Sequence, residues 1–263
     1  MSMWKDVLSK IAAVQTKLGT PADTDVSTDI ANVQTAVDNI EGVTAKQAAF
    51  FGENIQPVLN ESFLMGAAGA APNTAYWNVI VDDGASVTLQ RTQYSYSYLR
   101  VYAGATGGSD AITYGKDLVT WIPGHAGTTS LNWEGYVRCV DLTGHFTFGL
   151  HRFSDSNGTP TTIIAGNKDK FMINCLNDSV SAATGDNTAI QATDISAYFT
   201  ENTWLKIKMV CTASDVKFYI DDTLRATHST RVPDYAMTTN MGATNTGGIA
   251  TDLQFMNIQV WAE

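Results

Sequence analysis

The sequence predicts a mainly β protein: an antiparallel two-sheet sandwich preceded by short N-terminal α-helices. Three observations carry that reading. From residue 76 onward, apolar residues recur with a period of two in runs separated by Asp, Gly and Asn turns, the pattern of half-buried strands. Before residue 60 they recur at spacings of three and four, the pattern of a helix seam. Charged residues make up 16% of the 263-residue chain, below the ~25% of an average domain, and Thr, Ser, Asn and Gly take their place.

Residues 1–60 are expected to be a helical oligomerisation and anchoring region. Trp4, Val7, Ile11, Val14 and Leu18 are spaced 3, 4, 3, 4, an a/d seam. Gly19-Thr20-Pro21 ends it, since Gly favours the position just past a helix and Pro cannot continue one. A second seam, Val26, Ile30, Val33, Val37 and Ile40, is spaced 4, 3, 4, 3. Asp23, Thr24, Asp25 and Ser27 offer N-caps for it, and Asp25 and Asp29 suit the positive end of a helix dipole. Continuing the first seam would place Pro21 and Asp25 in core positions, so the two registers do not join and two helices are expected. Each is only about 15 residues long, at or below the length that stands alone in water. Their narrow seams must therefore cover each other, within a chain as a hairpin or between chains. Apart from Trp4 and Leu18 the seams are Ile and Val at both a and d, a composition that favours three strands. A homotrimer is the expected state.

Residues 42–60 keep helical character through Ala45, Ala48, Ala49, Phe50 and Phe51, and residues 61–75 form an Ala/Gly connector. The sandwich is expected over residues 76–263. Residues 76–81 and 86–90 flank Asp82-Asp83-Gly84, a turn of the hairpin kind. Tyr94, Tyr96 and Tyr98 alternate with Ser95 and Ser97, giving a strand with an aromatic face. Further strands are expected over residues 117–122, 131–140, 145–153, 161–165 and 170–177, then a looser loop through Gly185. Residues 203–227 form a meander. Leu205, Ile207 and Met209 alternate with Trp204, Lys206 and Lys208, and Val216, Phe218 and Ile220 alternate with Lys217 and Tyr219. Asp221-Asp222-Thr223 then turns into a strand carrying Leu224, Ala226 and His228. A last strand has Leu253, Phe255 and Trp261 among its apolar residues. The count is about twelve, suited to a large two-sheet domain.

The run W-L-K-I-K…S-D-V-K-F-Y-I-D-D-T-L-R-A-T-H, ending at His228, resembles the C-terminal half of concanavalin A-like (laminin G-like, legume-lectin-like) jelly rolls. There a W…(aromatic)-Y-(Val/Ile)-D-G-x-L hairpin recurs. Asp222 stands where that family usually has Gly; a type I′ turn needs φ > 0 there, which Asp tolerates. The string L-G-T-P-A-D-T-D-V-S-T-D-I-A-N-V-Q-T-A-V-D-N-I, residues 18–40, is similar to a segment common in tailed-phage virion proteins. In those it forms short trimerising helices in front of a variable head domain.

Several functions are disfavoured. The net charge is −10 and no basic cluster occurs, so a nucleic-acid partner would be repelled. Neither a signal-peptide core at the N-terminus nor an apolar run of about 18 residues is found, so no membrane partner is expected. Cys139, Cys175 and Cys211 are an odd, widely spaced set among strand-like residues, which argues for buried free thiols rather than disulfides or zinc. Some jelly rolls of this resemblance are glycoside hydrolases, with two Glu on one strand face as E-x-D-x-E or E-x-D-x-x-E. Here Glu134 has no acidic residue at i+2 or i+4, and Asp82-Asp83 and Asp221-Asp222 are adjacent turn pairs. No G-x-S-x-G elbow occurs for a triad. His145 and His151 share a strand face but stand ~20 Å apart at strand rise, too far to ligate one metal. With His125 and His228 they are expected to be surface residues. No catalytic residue, cofactor or metal is expected.

Lectins of this resemblance bind sugars through loops at one end of the sandwich. Trp121 with His125, Asp155 with Asn157, and Asp234-Tyr235 are the candidate glycan-contacting loops, each an aromatic or amide group beside a turn. Helices and sandwich together indicate a non-enzymatic structural component of a phage virion assembled in the host cytoplasm. It would be a capsid decoration or head-fibre protein, anchored by its helices on the major capsid protein or another virion protein with the sandwich outward. The alternative is a tail-associated or surface adhesin that binds host glycans.

Overall fold

In the computed structural model the chain divides into two compact units, Met1–Glu53 and Asn54–Glu263. The structure describes residues 60–61, 69–73, 77–82, 84–91, 97–115, 129–152, 159–246, 248 and 250–263, all within the second unit. The helix seams from Trp4 to Ile40 and the strand expected over residues 117–122 lie outside the described residues.

The elements in chain order are β1 (Asn60–Glu61), β2 (Trp77–Val81), β3 (Ser86–Arg91), β4 (Ser97–Ala103), β5 (Asp110–Gly115), β6 (Ser130–Cys139) and β7 (His145–Arg152). A short helix, α1 (Pro160–Ala165), precedes β8 (Lys170–Leu176), β9 (Ser179–Gly185) and β10 (Ile190–Asp194). After a 3-10 turn at Ser196–Tyr198 come β11 (Trp204–Thr212), β12 (Val216–Ile220), β13 (Thr223–His228), β14 (Met237–Thr244) and β15 (Thr251–Ala262). They pair antiparallel into an eight-stranded sheet, β13-β12-β11-β6-β15-β4-β3 with β1 also on β15, and a seven-stranded sheet, β10-β9-β8-β7-β14-β5-β2. Hydrogen bonding of the first sheet reaches back into the expected connector: β1 pairs with β15, and Gly69 N–H donates to Leu89 O over 2.7 Å.

The core lies between the sheets and is built from alternate residues of each strand, as period-two patterning requires. Phe148 of β7 sits at its centre, its ring 5.7 Å from Trp133 of β6 and 5.7 Å from Phe255 of β15. Trp133 keeps its polar end satisfied by donating Nε1–H to Thr239 Oγ1 of the opposite sheet at 3.2 Å. The meander forms as read: Leu205, Ile207, Met209, Val216, Phe218 and Ile220 are all buried. Asp221 and Asp222 have φ of 48° and 60°, both left-handed as a type I′ turn requires. The three cysteines are free and buried, and burial pushes the thiols of Cys175 and Cys211 up to about 12.

Five expectations are corrected. A β-bulge between Phe218 and Tyr219 pairs Phe218 with Ala226 but Tyr219 with Leu224, so Leu224 faces out and is 47% exposed. A second bulge in β15, with Asn257 at φ 51°, shifts parity after Phe255. Ile258 and Val260 point inward as a result, and Trp261 is left half-buried. The Asp82–Gly84 turn does not close a hairpin; β2 pairs with β5 and β3 with β4, so it carries the chain from one sheet to the other. Residues 161–165 are helical, because Thr159 caps α1 through Oγ1 and Pro160 occupies its first turn. The expected loop through Gly185 is β9, whose Val180 and Ala182 pack into the core.

The histidines are the remaining departure. His145, His151 and His228 are buried rather than on the surface. His228 lies between Thr184 Oγ1 at 2.9 Å from Nδ1 and Thr193 Oγ1 at 2.9 Å from Nε2, joining β13 of one sheet to β9 and β10 of the other. Burial lowers its pKa from 6.5 to about 4. The unfolded chain therefore takes up this proton first as pH falls, and stability is lost between about pH 6.5 and 4. Between pH 7.5 and 4.5 this one group should remove about 2–3 kcal/mol. In His228→Gln, urea unfolding should show a correspondingly smaller pH dependence; an unchanged dependence would contradict the assignment.

Candidate binding site

The outer face of the seven-stranded sheet is polar yet buried. Strand register lines up Lys170, His151 and Thr238 across β8, β7 and β14, and two same-face steps along, Asn174, Thr147 and Gly242. Thr147 Oγ1 donates to Asn174 Oδ1 at 2.8 Å, and Thr238 Oγ1 to the carbonyl of Gly115 at 3.0 Å. Helix α1 lies over this face. A Cβ on Gly242 would come within 2.9 Å of Pro160 Cγ, so Gly is what lets the helix approach. Thr161 Oγ1 is 3.2 Å from Nδ1 of His145.

Lys170 holds that helix down. Its side chain is fully buried, and Nζ donates to the carbonyls of Ile163 at 2.5 Å, Ile164 at 3.1 Å and Gly166 at 2.7 Å. Three N–H groups thus meet three carbonyls at the negative end of α1. Burial lowers the ammonium to about 8, so it remains cationic at neutral pH. Nothing local in the sequence marks this lysine; the readable signal is the Thr159-Pro160 helix start just ahead of it.

Two pairs of carboxylates lie close together among the described residues, Asp82 with Asp110 and Asp169 with Asp234. Within the described strands of the seven-stranded sheet the outward carboxylates are Asp110 of β5 and Asp194 of β10, at positions five strand spacings apart. At ~4.8 Å per strand that is about 24 Å, whereas glycosidase carboxylates stand roughly 5–9.5 Å apart. Burial raises the Asp110 carboxyl, while Ser196 lowers that of Asp194 through its hydroxyl and N–H. Glu134 is on the other sheet, facing out, with Lys206 Nζ 3.5 Å away. Among the described residues no group of three or more His, Cys, Asp or Glu could hold a metal ion.

The candidate loops are rooted at one end of the sandwich. The chain leaves β5 at Gly115 and β7 at Arg152, and enters β14 at Met237, which pairs with Arg152. Trp121, His125, Asp155 and Asn157 lie outside the described residues. Tyr235 is described: it is 47% exposed, and the Arg152 guanidinium sits 4.0 Å from its ring centre. Arg152 Nη1 also donates to Asn187 Oδ1 at 3.3 Å. Beside it Asp234 N–H donates to Oδ1 of buried Asp169 at 3.1 Å, and burial, then the neighbouring Asp234, raises the Asp169 carboxyl. The result is an aromatic ring braced on a cation, with part of its surface open to solvent.

No protein-family model matches the chain, and no curated protein matches it. Solved structures do. A structure described under endo-acting O-glycanases of the human gut microbiota aligns with a TM-score of 0.55 at 12% identity, covering 80% of this chain and 100% of that one. A Bacillus licheniformis β-glucanase aligns at 0.53 and 13% identity, covering 79% and 99%. A glycoside hydrolase family protein from Mycobacterium thermorestibile gives 0.53 at 14% identity, covering 78% and 100%. The fold is a concanavalin A-like jelly roll. At these identities the likeness is one of fold alone. A sialidase aligns over 79% of this chain but 18% of its own length, so there the jelly roll matches only a small part of a larger protein.

Proposed function

We propose that this chain is a non-enzymatic structural component of a tailed-phage virion, a capsid decoration or head-fibre protein. Its N-terminal helices self-associate and dock on the major capsid protein or another virion protein, and the jelly roll is displayed outward. The observation that supports the non-catalytic part is the roofed face: α1, pinned by Lys170, lies over the sheet, and the two outward carboxylates carried by its described strands, Asp110 and Asp194, are about 24 Å apart. The display part is supported by the seams from Trp4 to Ile40 and by the similarity of residues 18–40 to virion trimerising segments.

Two results are expected of one preparation. Density-purified particles should contain the chain by mass spectrometry. The purified protein should give no turnover of β-glucan, alginate or peptidoglycan. Absence from particles, or a turnover abolished by Glu134→Gln, would overturn the proposal. A second reading, a glycan-binding adhesin, is favoured by the exposed Tyr235 ring braced on Arg152.

A further inference from the structure

The outer face of the eight-stranded sheet differs in kind from the roofed face of its partner. Leu99, Val101, Val137, Leu205, Leu253 and Phe255 point into the core, so the alternate residues of the same strands point out. Register places Thr88, Arg100, Gln254, Arg138 and Trp204 in one row across five adjacent strands. At ~4.8 Å per strand the row is about 19 Å long. Tyr98, Tyr102 and Tyr136 flank it, Tyr136 being 39% exposed.

The polar groups of the row form one chain of contacts. Arg138 donates through Nε to Gln254 Oε1 at 2.9 Å, and through Nη2 to the same oxygen. Gln254 Nε2 donates to Asp252 Oδ1 at 3.4 Å. Arg100 closes the chain on Asp252 Oδ2 with Nε at 2.9 Å and Nη2 at 2.7 Å. Both guanidinium groups lie against aromatic rings, Arg100 4.3 Å from the centre of Tyr102 and Arg138 5.1 Å from that of Trp204. Trp204 in turn meets Tyr98 in a T-shaped contact, their ring centres 6.2 Å apart.

Charge separates the two arginines. Arg100 is neutralised by Asp252. Arg138, among the described residues, has a neutral amide oxygen and a ring as its partners. Three other cations of this chain of net charge −10 do meet carboxylates: Lys206 with Glu134 and Asp222, Lys217 with Asp215, and Arg231 with Asp186. The row therefore carries one surplus positive charge on a group already held in place.

We propose that this face binds a carboxylated glycan, an oligosaccharide of uronate-type pyranose rings. The C–H face of a sugar ring is weakly positive and stacks on the negative face of an aromatic ring, which Tyr136 and Trp204 offer on either side of Arg138. A guanidinium presents N–H groups in a fixed fork that matches a carboxylate. Stacking and the bond to Gln254 fix that fork beforehand, so little side-chain freedom is lost on binding. This reading holds whether or not the chain belongs to a particle, and it uses a different sheet from the Tyr235 end.

The test is titration calorimetry of the full chain with an alginate oligosaccharide and with a cello-oligosaccharide of equal length. The uronate oligomer should bind and weaken with added salt, while the neutral one should bind at least about tenfold more weakly. Arg138→Ala should weaken uronate binding about tenfold or more, and Tyr136→Ala, a change at an exposed ring, should weaken it severalfold without altering the melting temperature. Tyr235→Ala should leave it unchanged. Equal binding of the two sugars, no uronate binding at millimolar concentration, or loss with Tyr235→Ala but not with Arg138→Ala would overturn the proposal.

Discussion

Phe218→Ala is expected to lower the stability of the full chain by about 3–5 kcal/mol, the cost of truncating a buried Phe where the surroundings cannot collapse. Phe218 is fully buried on β12, with Met209 opposite it on β11 and Ala226 on β13. Its ring lies 5.3 Å from that of His228, itself wedged between Thr184 and Thr193. A backbone ladder on both sides and an anchored histidine beside it leave little that can move into the cavity. Urea denaturation of the variant should show the midpoint displaced with the slope preserved. Melting together with the parent would place Phe218 outside the core and invalidate the register of the meander.

Lys170→Met should cost about 3 kcal/mol, although it replaces a buried charge by an apolar chain of similar length. The three carbonyls of Ile163, Ile164 and Gly166 lose their donor together, and each buried acceptor left unsatisfied costs about 1–3 kcal/mol less whatever water recovers. Because α1 lies over the outer face of β7 and β14, the loss should appear locally as well. Amide exchange of Ile163 and Gly166, whose N–H groups bond to Thr159 O and Thr162 O, should speed up more than that of the β7 core. A variant as stable as the parent, with α1 still protected, would show that the lysine does not hold the helix.

The meander was legible in the sequence because each signal there agrees with its neighbours. Strict alternation at Leu205, Ile207 and Met209 meets a turn whose two Asp residues tolerate φ > 0. Leu224 was misplaced because a bulge alters parity without leaving a mark in composition. Residues 161–165, TTIIA, are β-branched and read as a strand on propensity; Thr159-Pro160 outweighs that locally and the roofed face completes it. β9 passed for a loop because its Ser, Ala and Gly carry little hydrophobic signal, yet Ala182 and Gly185 are buried. Buried His145 and His228 meet threonines distant in sequence, Thr161, Thr184 and Thr193, which no local pattern reveals. Of the candidate glycan residues the structure describes Tyr235 and finds it exposed at the end where the other loops are rooted. The Arg100–Gln254–Arg138 row leaves no local signal in the sequence, because its members come from three strands and meet only through register.

The proposed display role rests on self-association through the two seams, since segments of about 15 residues expected to be helical would be too short to stand alone in water. Multi-angle light scattering of the full chain at micromolar concentration tests this most directly. The expected mass is three times the 28.3 kDa of one chain, falling on Ile30→Asp with Val37→Asp, which would bury unpaired charge in the seam. A full-length protein that runs as a clean 28.3 kDa monomer would contradict the stalk and the virion role built on it.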